Sequence, residues 1–486
     1  MAPSLSIYHL VILLSALASV SLSEFVLPLT HSLSKTQFTS THHLLKSTTT
    51  RSAARFRHRH RQQQVSLPLS PGSDYTLSFS LGGSASSPVS LYLDTGSDLV
   101  WLPCHPFECI LCENKQEKPA PPLNISSTAT KVSCKSPACS AAHSSLPTSD
   151  LCAIAKCPLD SIETSDCKSF SCPPFYYAYG DGSLVARLYK DSLSMPVSSQ
   201  KSLVLHNFTF GCAHTTLGEP IGVAGFGRGL LSFPAQLASL SPHLGNRFSY
   251  CLVSHSFDSN RTRLPSPLIL GRYEDKEKRV NSEEAEFVYT DMLDNPKHPY
   301  FYSVGLEGIS VGKRNIPAPG FLRRVDGQGY GGMVVDSGTT FTMLPASLYE
   351  KVVAEFDRRL GRVHERASQI EEKTGLSPCY YFDQVVKGNV PTVELHFVGS
   401  NSSVALPRKN YFYDFLDAGD GKAKKRNVGC LMLMNGGDEE ELSGGPGATL
   451  GNYQQQGFEV VYDLEKGKVG FARRQCASLW ESLNKN

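Results

Sequence analysis

The sequence has little that would span a membrane or attract nucleic acid. Of its 486 residues only 2 are Trp, 19% are charged, and the formal net charge is +2. Such a balanced charge gives no general attraction for nucleic acid or for an acidic partner. One apolar run stands out, at residues 7–18, and it is too short to cross a bilayer. We therefore expect no nucleic acid and no membrane anchor.

Turn-forming and aromatic residues are plentiful instead. The chain has 39 Gly and 30 Pro, together with 20 Tyr and 24 Phe. This composition is typical of a turn-rich β protein, and the length is sufficient for two sizeable cores. We predict a mainly β fold.

Three features point to the secretory pathway. Residues 1–23 combine the apolar run with small residues and are predicted to be a signal peptide, although no Lys or Arg precedes the run; a buried helix is the alternative. The 14 Cys are an even number, as expected for seven disulfides in an oxidising compartment. N-glycosylation sequons occur at Asn124, Asn207, Asn260 and Asn401. We expect secretion to the extracellular space or cell wall, with the vacuole as the alternative.

Residues 24–65 are rich in Ser, Thr, His and Arg and include a basic run at residues 55–61. Such a composition cannot bury enough apolar area to fold alone. We predict a pro-segment or basic linker, with a nucleic-acid patch as the weaker alternative. The folded part is then expected to begin near Ser66, with an N-terminal lobe at residues 66–285 and a C-terminal lobe at residues 286–486.

An internal repeat organises the rest of the chain. Residues 91–103 read LYLDTGSDLVWLP, and residues 333–345 read MVVDSGTTFTMLP. Each copy is followed later by an apolar strand that ends in glycine, at Gly225 and at Gly451. Two homologous lobes that each contribute one aspartate are the simplest explanation.

Local patterns predict individual elements. Apolar and polar residues alternate in residues 75–81 and 458–463, as in half-buried strands. One clear helix follows the second aspartate, because Pro345 precedes apolar residues spaced four apart, at Leu348, Val352, Phe356 and Leu360.

The repeated motif suits acid–base chemistry. Two carboxylates brought face to face cannot both ionise, so Asp94 and Asp336 would share a proton. One would then act as general base on a water and the other as general acid, without metal, cofactor or covalent intermediate. The flanking residues have predicted supporting roles. Gly96 and Gly338 would allow a tight turn, and the hydroxyls of Ser97 and Thr339 would bond the carboxylates. The hydroxyls of Thr95 and Ser337 would link the two lobes.

From about Ser66 to Cys476 the chain resembles the pepsin-like aspartic proteases, and within them the plant nepenthesin-like group. The motifs that carry this resemblance include DTGSDLVW from Asp94, YGDGS from Tyr179, GFGRGLLSFPAQL from Gly225 and DSGTTFT from Asp336. The resemblance implies a bilobal pepsin-like fold with a central cleft. It also implies a monomeric aspartic endopeptidase that hydrolyses polypeptides at acid pH.

The resemblance assigns Tyr179 to a mobile flap that closes over bound peptide. It further implies that the indole of Trp101 positions the Tyr179 hydroxyl. The composition Tyr-Gly-Asp-Gly is itself typical of a hairpin tip. The alternative is that Tyr179 only packs.

Disulfide pairs are also implied by the resemblance, namely Cys104–Cys109, Cys112–Cys212, Cys379–Cys430 and Cys251–Cys476. The other six cysteines stay unassigned, since they allow 15 connectivities. A zinc site formed by Cys104, Cys109, Cys112 and His105 is a weaker alternative, because it has no matching second half-site.

Two other functions are compatible with such a scaffold. One is a catalytically silent binding or inhibitor glycoprotein, and the other is a structural cell-wall glycoprotein. The presence of both aspartates and all the flanking hydroxyls favours the enzyme.

Overall fold

The computed structural model describes most of the chain from Phe25 onward. The described residues are 25–31, 42, 45, 46, 48, 49, 52, 75–82, 88–112, 122–179, 182–196, 202–218, 221–253, 265–271, 286–382, 390–417, 425–438 and 445–484. The predicted signal peptide, the basic run and the sequon at Asn260 lie outside these ranges.

Strands dominate the described chain, as the composition predicts. Those of the first half are β1 (Phe25–His31), β2 (Tyr75–Leu81), β3 (Val89–Asp94), β4 (Val100–Ile110), β5 (Thr130–Lys131), β6 (Phe175–Tyr179), β7 (Gly182–Pro196), β8 (Ser202–Leu217), β9 (Val223–Gly225), β10 (Arg247–Cys251) and β11 (Ser266–Leu270). Those of the second half are β12 (Val288–Leu293), β13 (Ser303–Val304), β14 (Leu306–Val311), β15 (Arg314–Pro317), β16 (Met333–Asp336), β17 (Thr342–Leu344), β18 (Cys379–Phe382), β19 (Val393–Phe397), β20 (Ser403–Leu406), β21 (Phe412–Asp417), β22 (Arg426–Leu431), β23 (Leu433–Asn435), β24 (Ala448–Gly451), β25 (Phe458–Asp463) and β26 (Lys468–Arg473).

The helices are mostly short. They are α1 (Pro137–Ala142), α2 (Thr148–Ile154), α3 (Leu159–Glu163), α4 (Phe233–Leu240), α5 (Ala346–Leu360), α6 (Ser368–Thr374), α7 (Asn452–Gln455) and α8 (Cys476–Asn484). In the described part of the chain, no helix is long and apolar enough to cross a membrane. The predicted helix is confirmed as α5, with Leu348, Val352, Phe356 and Leu360 all buried.

Burial in the strands follows the side-chain pattern only where one face meets solvent. In β2, Leu77 and Phe79 are buried and Ser78 is exposed, as its alternation predicts. In β25 every residue is buried, including Glu459. The reason is that β25 lies inside a sheet, between β10 and β26.

The predicted repeat corresponds to two copies of one strand arrangement. In the first, β3 runs parallel to β9, and Asp94 lies level with Gly225. In the second, β16 runs parallel to β24, and Asp336 lies level with Gly451. Both glycines allow close backbone approach: an added Cβ would lie 2.5 Å from the Asp98 backbone at Gly225 and 2.4 Å from the Thr340 backbone at Gly451.

The two halves are joined by a shared antiparallel sheet. Strand β10 of the first half pairs with β25 of the second, and β26 pairs with β12. The predicted disulfide Cys251–Cys476 is confirmed and ties α8 to the end of β10. The lobes therefore share a common base, which fixes the position of one aspartate strand relative to the other.

Strand β1 corrects the prediction that the folded part begins near Ser66. Its residues 25–29 pair with β11 and its last two residues pair with β2, and Val26, Leu27 and Leu29 are buried. Residues 24–65 are polar on average, so their composition does not reveal this short apolar stretch. The stretch forms a strand because it can pair with the edge of a sheet. Whether the segment is later removed is a separate prediction.

All 14 cysteines are paired, and two of the four predicted pairs are wrong. Cys379–Cys430 is confirmed, across the neighbouring strands β18 and β22. Cys104 pairs with Cys212, not with Cys109, because β4 runs parallel to β8 and brings their Cα atoms within 5.4 Å. Cys109 pairs instead with Cys112.

The unassigned cysteines form Cys134–Cys152, Cys139–Cys172 and Cys157–Cys167, which hold the insertion that carries α1, α2 and α3. The sulfur atoms of the alternative zinc site are all in disulfides and offer no thiolate ligand.

Candidate active site

The first aspartate loop, residues 94–97, begins where β3 ends. The Gly96 N–H donates to Asp94 Oδ1 over 2.8 Å. The Asp94 carbonyl accepts from the Phe226 N–H over 2.7 Å, which fixes the backbone of the aspartate as well. Asp94 is only 6% exposed. Its carboxylate is therefore held in one orientation in a largely desolvated position.

The second aspartate loop, residues 336–339, repeats this geometry at the end of β16. The Gly338 N–H donates to Asp336 Oδ1 over 2.9 Å, and the Thr339 hydroxyl donates to Oδ2 over 2.7 Å. The hydrogen bond expected from the Thr339 hydroxyl is present. Donors at both oxygens favour the ionised form of a carboxyl.

Thr95 and Ser337 link the two loops across the lobes, as predicted, and we call this set of hydrogen bonds the interlobe lock. The Thr95 N–H donates to Ser337 Oγ over 3.0 Å, and the Ser337 N–H donates to Thr95 Oγ1 over 2.9 Å. Each hydroxyl also donates to a carbonyl of the other lobe's strand, at Val335 and Leu93. The lock makes the two aspartate loops one rigid unit.

The two loops differ three positions after the aspartate, at Ser97 in the first loop and Thr339 in the second. The hydroxyl of Ser97 is buried and has no hydrogen-bond partner among the described residues, so its predicted bond to Asp94 is absent there. The second loop has an extra support that the sequence did not suggest. Asn452, at the start of α7, donates from Nδ2 to the Ser337 carbonyl over 2.9 Å.

Two buried tyrosines lie beneath the lock. The hydroxyls of Tyr250 and Tyr462 are 2.8 Å apart, and Tyr250 also donates to Gln455 Oε1. Burial raises the pKa of Tyr250 well above its usual range, Tyr462 and the negative charge of Asp336 raise it further, and Thr95 opposes the rise. Both phenols therefore stay protonated, and they support the floor of the site as neutral hydrogen-bonding groups.

The predicted flap is a hairpin of β6 and β7, with Tyr179 opposite Gly182. Trp101 lies in β4 and is buried. The hairpin tip at residues 180 and 181 and the Tyr179 side chain lie outside the described part of the structure. The expected bond between Trp101 and the Tyr179 hydroxyl therefore stays a prediction.

Asp98 is a residue near the site whose importance sequence reasoning missed. Burial raises its pKa to about 6, against hydrogen bonds from the Gly229 and Leu231 N–H groups. The sequence did contain an indication, because Asp98 is a charged residue directly before the apolar residues that end the motif. Tyr177 of β6 was also missed; burial raises its pKa, with further contributions from Tyr300, Asp98 and Asp94.

Three of the four sequons are described, at Asn124, Asn207 and Asn401. All three asparagines are exposed. Asn207 and Asn401 have φ values of 60° and 56°, which are typical of tight turns. These positions are accessible to a modifying enzyme. Glycosylation at them stays a prediction.

Comparison with known families gives two adjacent matches. Residues 75–272 match the family described as xylanase inhibitor N-terminal, and residues 301–473 match the one described as xylanase inhibitor C-terminal. The two matches are separated by residues 273–300.

Two plant relatives extend the comparison. A probable aspartyl protease from Arabidopsis thaliana is 69% identical over 434 residues, covering 86% of this chain and 85% of that protein. Aspartic proteinase nepenthesin-1 from Nepenthes gracilis is 29% identical, covering 83% of this chain and 78% of that protein.

Solved structures show the same fold. Basic 7S globulin from soybean superposes with a TM-score of 0.59 at 19% identity, covering 94% of this chain and 99% of that chain. Conglutin gamma from lupine seeds superposes with a TM-score of 0.58 at 18% identity, covering 93% and 95%.

Proposed function

This chain belongs to the plant family of pepsin-like aspartic proteases, and on that premise we propose that it is an endopeptidase in which Asp94 and Asp336 share one proton and activate a water molecule against a peptide carbonyl. The ionised carboxylate takes a proton from the water as its oxygen attacks the carbonyl carbon. The protonated carboxyl donates to the carbonyl oxygen. Collapse of the tetrahedral diol, with a proton passed to the nitrogen, breaks the peptide bond.

The interlobe lock is the observation that carries the proposal. Reciprocal bonds between Thr95 and Ser337 hold the two aspartate loops at a fixed separation. The glycine N–H groups at Gly96 and Gly338 orient one oxygen of each carboxylate in the same way. Because the carboxylates are already oriented, they do not have to be reoriented during the reaction step.

Acid pH follows from the shared proton. A pair that needs one ionised and one neutral carboxyl loses its general acid when both ionise. Activity is therefore expected to peak in acid and fade toward neutral pH.

We assign the protein to the secretory pathway as a monomer, in the extracellular space or cell wall or in the vacuole. The leader at residues 1–23 and the exposed sequons support this assignment. Seven disulfides also fit an oxidising compartment.

Residues 24–65 are proposed as an inhibitory pro-segment. Leu45 is buried in one apolar cluster with Phe341. Ser52 Oγ accepts from the Phe341 N–H over 3.1 Å, and Phe341 follows Asp336 by five positions. The segment thus contacts the chain next to the second aspartate loop just before its basic run begins. Release in acid would follow when cleft carboxylates protonate and lose their attraction for the arginines.

A second candidate function is inhibition of a glycoside hydrolase, which the name of the matched family suggests. Hydrolysis of denatured casein at pH 4, blocked by pepstatin, distinguishes the two. Cleavage supports the endopeptidase. Tight binding to a xylanase without any cleavage supports the inhibitor and contradicts the proposed function.

A further inference from the structure

A short loop at residues 227–231 lies between the first aspartate loop and the C-terminal lobe, and we call it the clamp loop. On one side, the Gly227 N–H donates to the Ser97 carbonyl over 2.8 Å. On the other side, the Arg228 N–H donates to the Tyr300 carbonyl over 2.9 Å. The Tyr302 hydroxyl donates to the Gly227 carbonyl over 3.2 Å. The clamp loop therefore contacts both lobes.

The Asp98 carboxyl holds this loop in place. Its Oδ1 accepts from the Gly229 N–H over 2.7 Å, and the Leu231 N–H makes a second hydrogen bond to it. The carboxyl also fills the space above Gly229, because a Cβ added there would lie 2.2 Å from Asp98 Oδ2. Only glycine at this position lets the carboxyl approach so closely.

The backbone of Asp98 reaches the flap as well. It hydrogen-bonds to the hydroxyl of Tyr177 in β6, and that phenol also interacts with Tyr300 and Asp94. Asp98 is thus adjacent in sequence to the first aspartate loop and bonded in space to the clamp loop and the flap hairpin.

A turn cap does not require this burial. Asp326 accepts from the N–H groups of Gln328 and Tyr330 in an exposed turn, so its charge stays solvated. Asp98 makes bonds of the same type in a half-buried position, where partial loss of hydration of the carboxyl costs free energy. Carboxyls with shifted pKa values cluster at functional sites, and Asp98 is such a carboxyl directly after the first aspartate loop.

We propose that Asp98 is a positioning residue for peptide hydrolysis, and that its carboxyl fixes the first aspartate loop relative to the C-terminal lobe through the clamp loop. This inference rests on the proposed function, because it concerns the geometry in which Asp94 meets Asp336. It goes beyond that function in giving a role to a third aspartate.

A double-mutant cycle tests this role. Asp98→Ala removes the carboxyl, and Gly229→Ala introduces a Cβ that displaces it. We expect each single change to lower kcat on a peptide substrate at pH 4 by at least about tenfold, with KM within about threefold of wild type. In the double variant the clash is gone together with the carboxyl. Its kcat is therefore expected to be no lower than that of the poorer single variant.

Two matched controls and one conservative variant complete the design. Gly320→Ala adds a Cβ with nothing within 4 Å, and Asp326→Ala removes an exposed turn cap. Both are expected to keep kcat within about twofold of wild type. Asp98→Asn keeps an acceptor for the Gly229 N–H and is expected to recover kcat to within about threefold of wild type. This recovery also supplies the decisive comparison if Asp98→Ala does not fold.

The outcomes separate the two proposals. An Asp98→Ala variant that is folded and cleaves peptide as fast as wild type overturns the role of Asp98 alone. Multiplicative losses in the cycle, or a loss confined to KM, do the same. Wild-type protein that cleaves no peptide overturns the proposed function and this inference with it.

Discussion

Thr95 and Ser337 are 242 positions apart in the chain, and each receives the other's backbone N–H on its side-chain hydroxyl. This reciprocity requires two loops of the same shape related by an approximate two-fold axis. It is the direct structural consequence of the repeated sequence motif. It also makes each lobe's aspartate dependent on the other lobe for its position.

Removal of the Thr95 hydroxyl tests the lock. Thr95→Val keeps the side-chain shape but leaves the buried Ser337 N–H without its acceptor. We expect the free energy of unfolding to fall by about 2 kcal/mol, and kcat to fall with it. Chemical denaturation and peptide hydrolysis at pH 4 measure the two effects. Thr130→Val, on the exposed strand β5, is the control and is expected to change stability by less than about 0.5 kcal/mol.

The disulfide between Cys251 and Cys476 should stabilise the fold more than a short-range one. It closes a separation of 225 residues, whereas Cys157–Cys167 closes 10. In the chain-entropy model, replacing the first pair by serines should destabilise the protein by about 3 kcal/mol more than replacing the second. Equal losses in denaturant unfolding would contradict this ranking.

The half-buried Asp98 should make stability fall as pH rises. Burial raises its pKa from the ordinary value of 3.8 to about 6, so the folded state binds the proton more tightly than the unfolded state does. The protonated form therefore contributes its full stability below about pH 4, and this is lost as pH rises toward 6. The loss is on the order of 3 kcal/mol.

Asp98→Asn cannot titrate and isolates this effect. We expect the unfolding free energy of wild type to fall relative to that of Asp98→Asn as the pH rises from 4 to 6. Denaturant titrations at several pH values measure the difference. A difference that does not change with pH would show that Asp98 titrates normally.

Docking of the pro-segment is tested at Leu45, which is fully buried. A charge in Leu45→Asp would be buried among apolar neighbours, so we expect the segment to detach. Activity of the uncleaved chain should then rise several-fold, measured at the highest pH at which the chain without the segment still cleaves peptide. Lys46→Ala, which removes an exposed hydrogen bond to the Glu372 carbonyl and leaves Leu45 in place, is the control. Unchanged activity of Leu45→Asp would leave the segment without an inhibitory role.

Much of the site could be predicted because its chemistry is local. Asp94, Gly96 and Thr95 occupy fixed places in one short motif, and the second copy repeats them. The link between Thr95 and Ser337 followed from two hydroxyls at equivalent positions. No long-range knowledge was needed beyond the repeat itself.

Three of the misses depend on partners that are distant in the chain. Cys104–Cys212 requires knowing that β4 runs parallel to β8, and sequence spacing does not reveal this. Strand β1 is too short to stand out from its polar surroundings until β11 is placed beside it. In the sequence Asp98 resembles a surface charge, and only the structure shows that its carboxyl accepts a hydrogen bond from the distant Gly229 N–H.

The central claim is that Asp94 and Asp336 form one catalytic unit. The most direct test is to compare wild type with Asp94→Asn and Asp336→Asn in hydrolysis of denatured casein at pH 4. Asp326→Asn serves as the matched control. Each replacement keeps the side-chain shape but removes a carboxyl from a pair that acts together. We expect each to lower kcat by at least about 10³-fold with an unchanged unfolding midpoint, while the control stays fully active. A folded Asp94→Asn or Asp336→Asn variant that keeps a substantial part of the wild-type rate would contradict the claim.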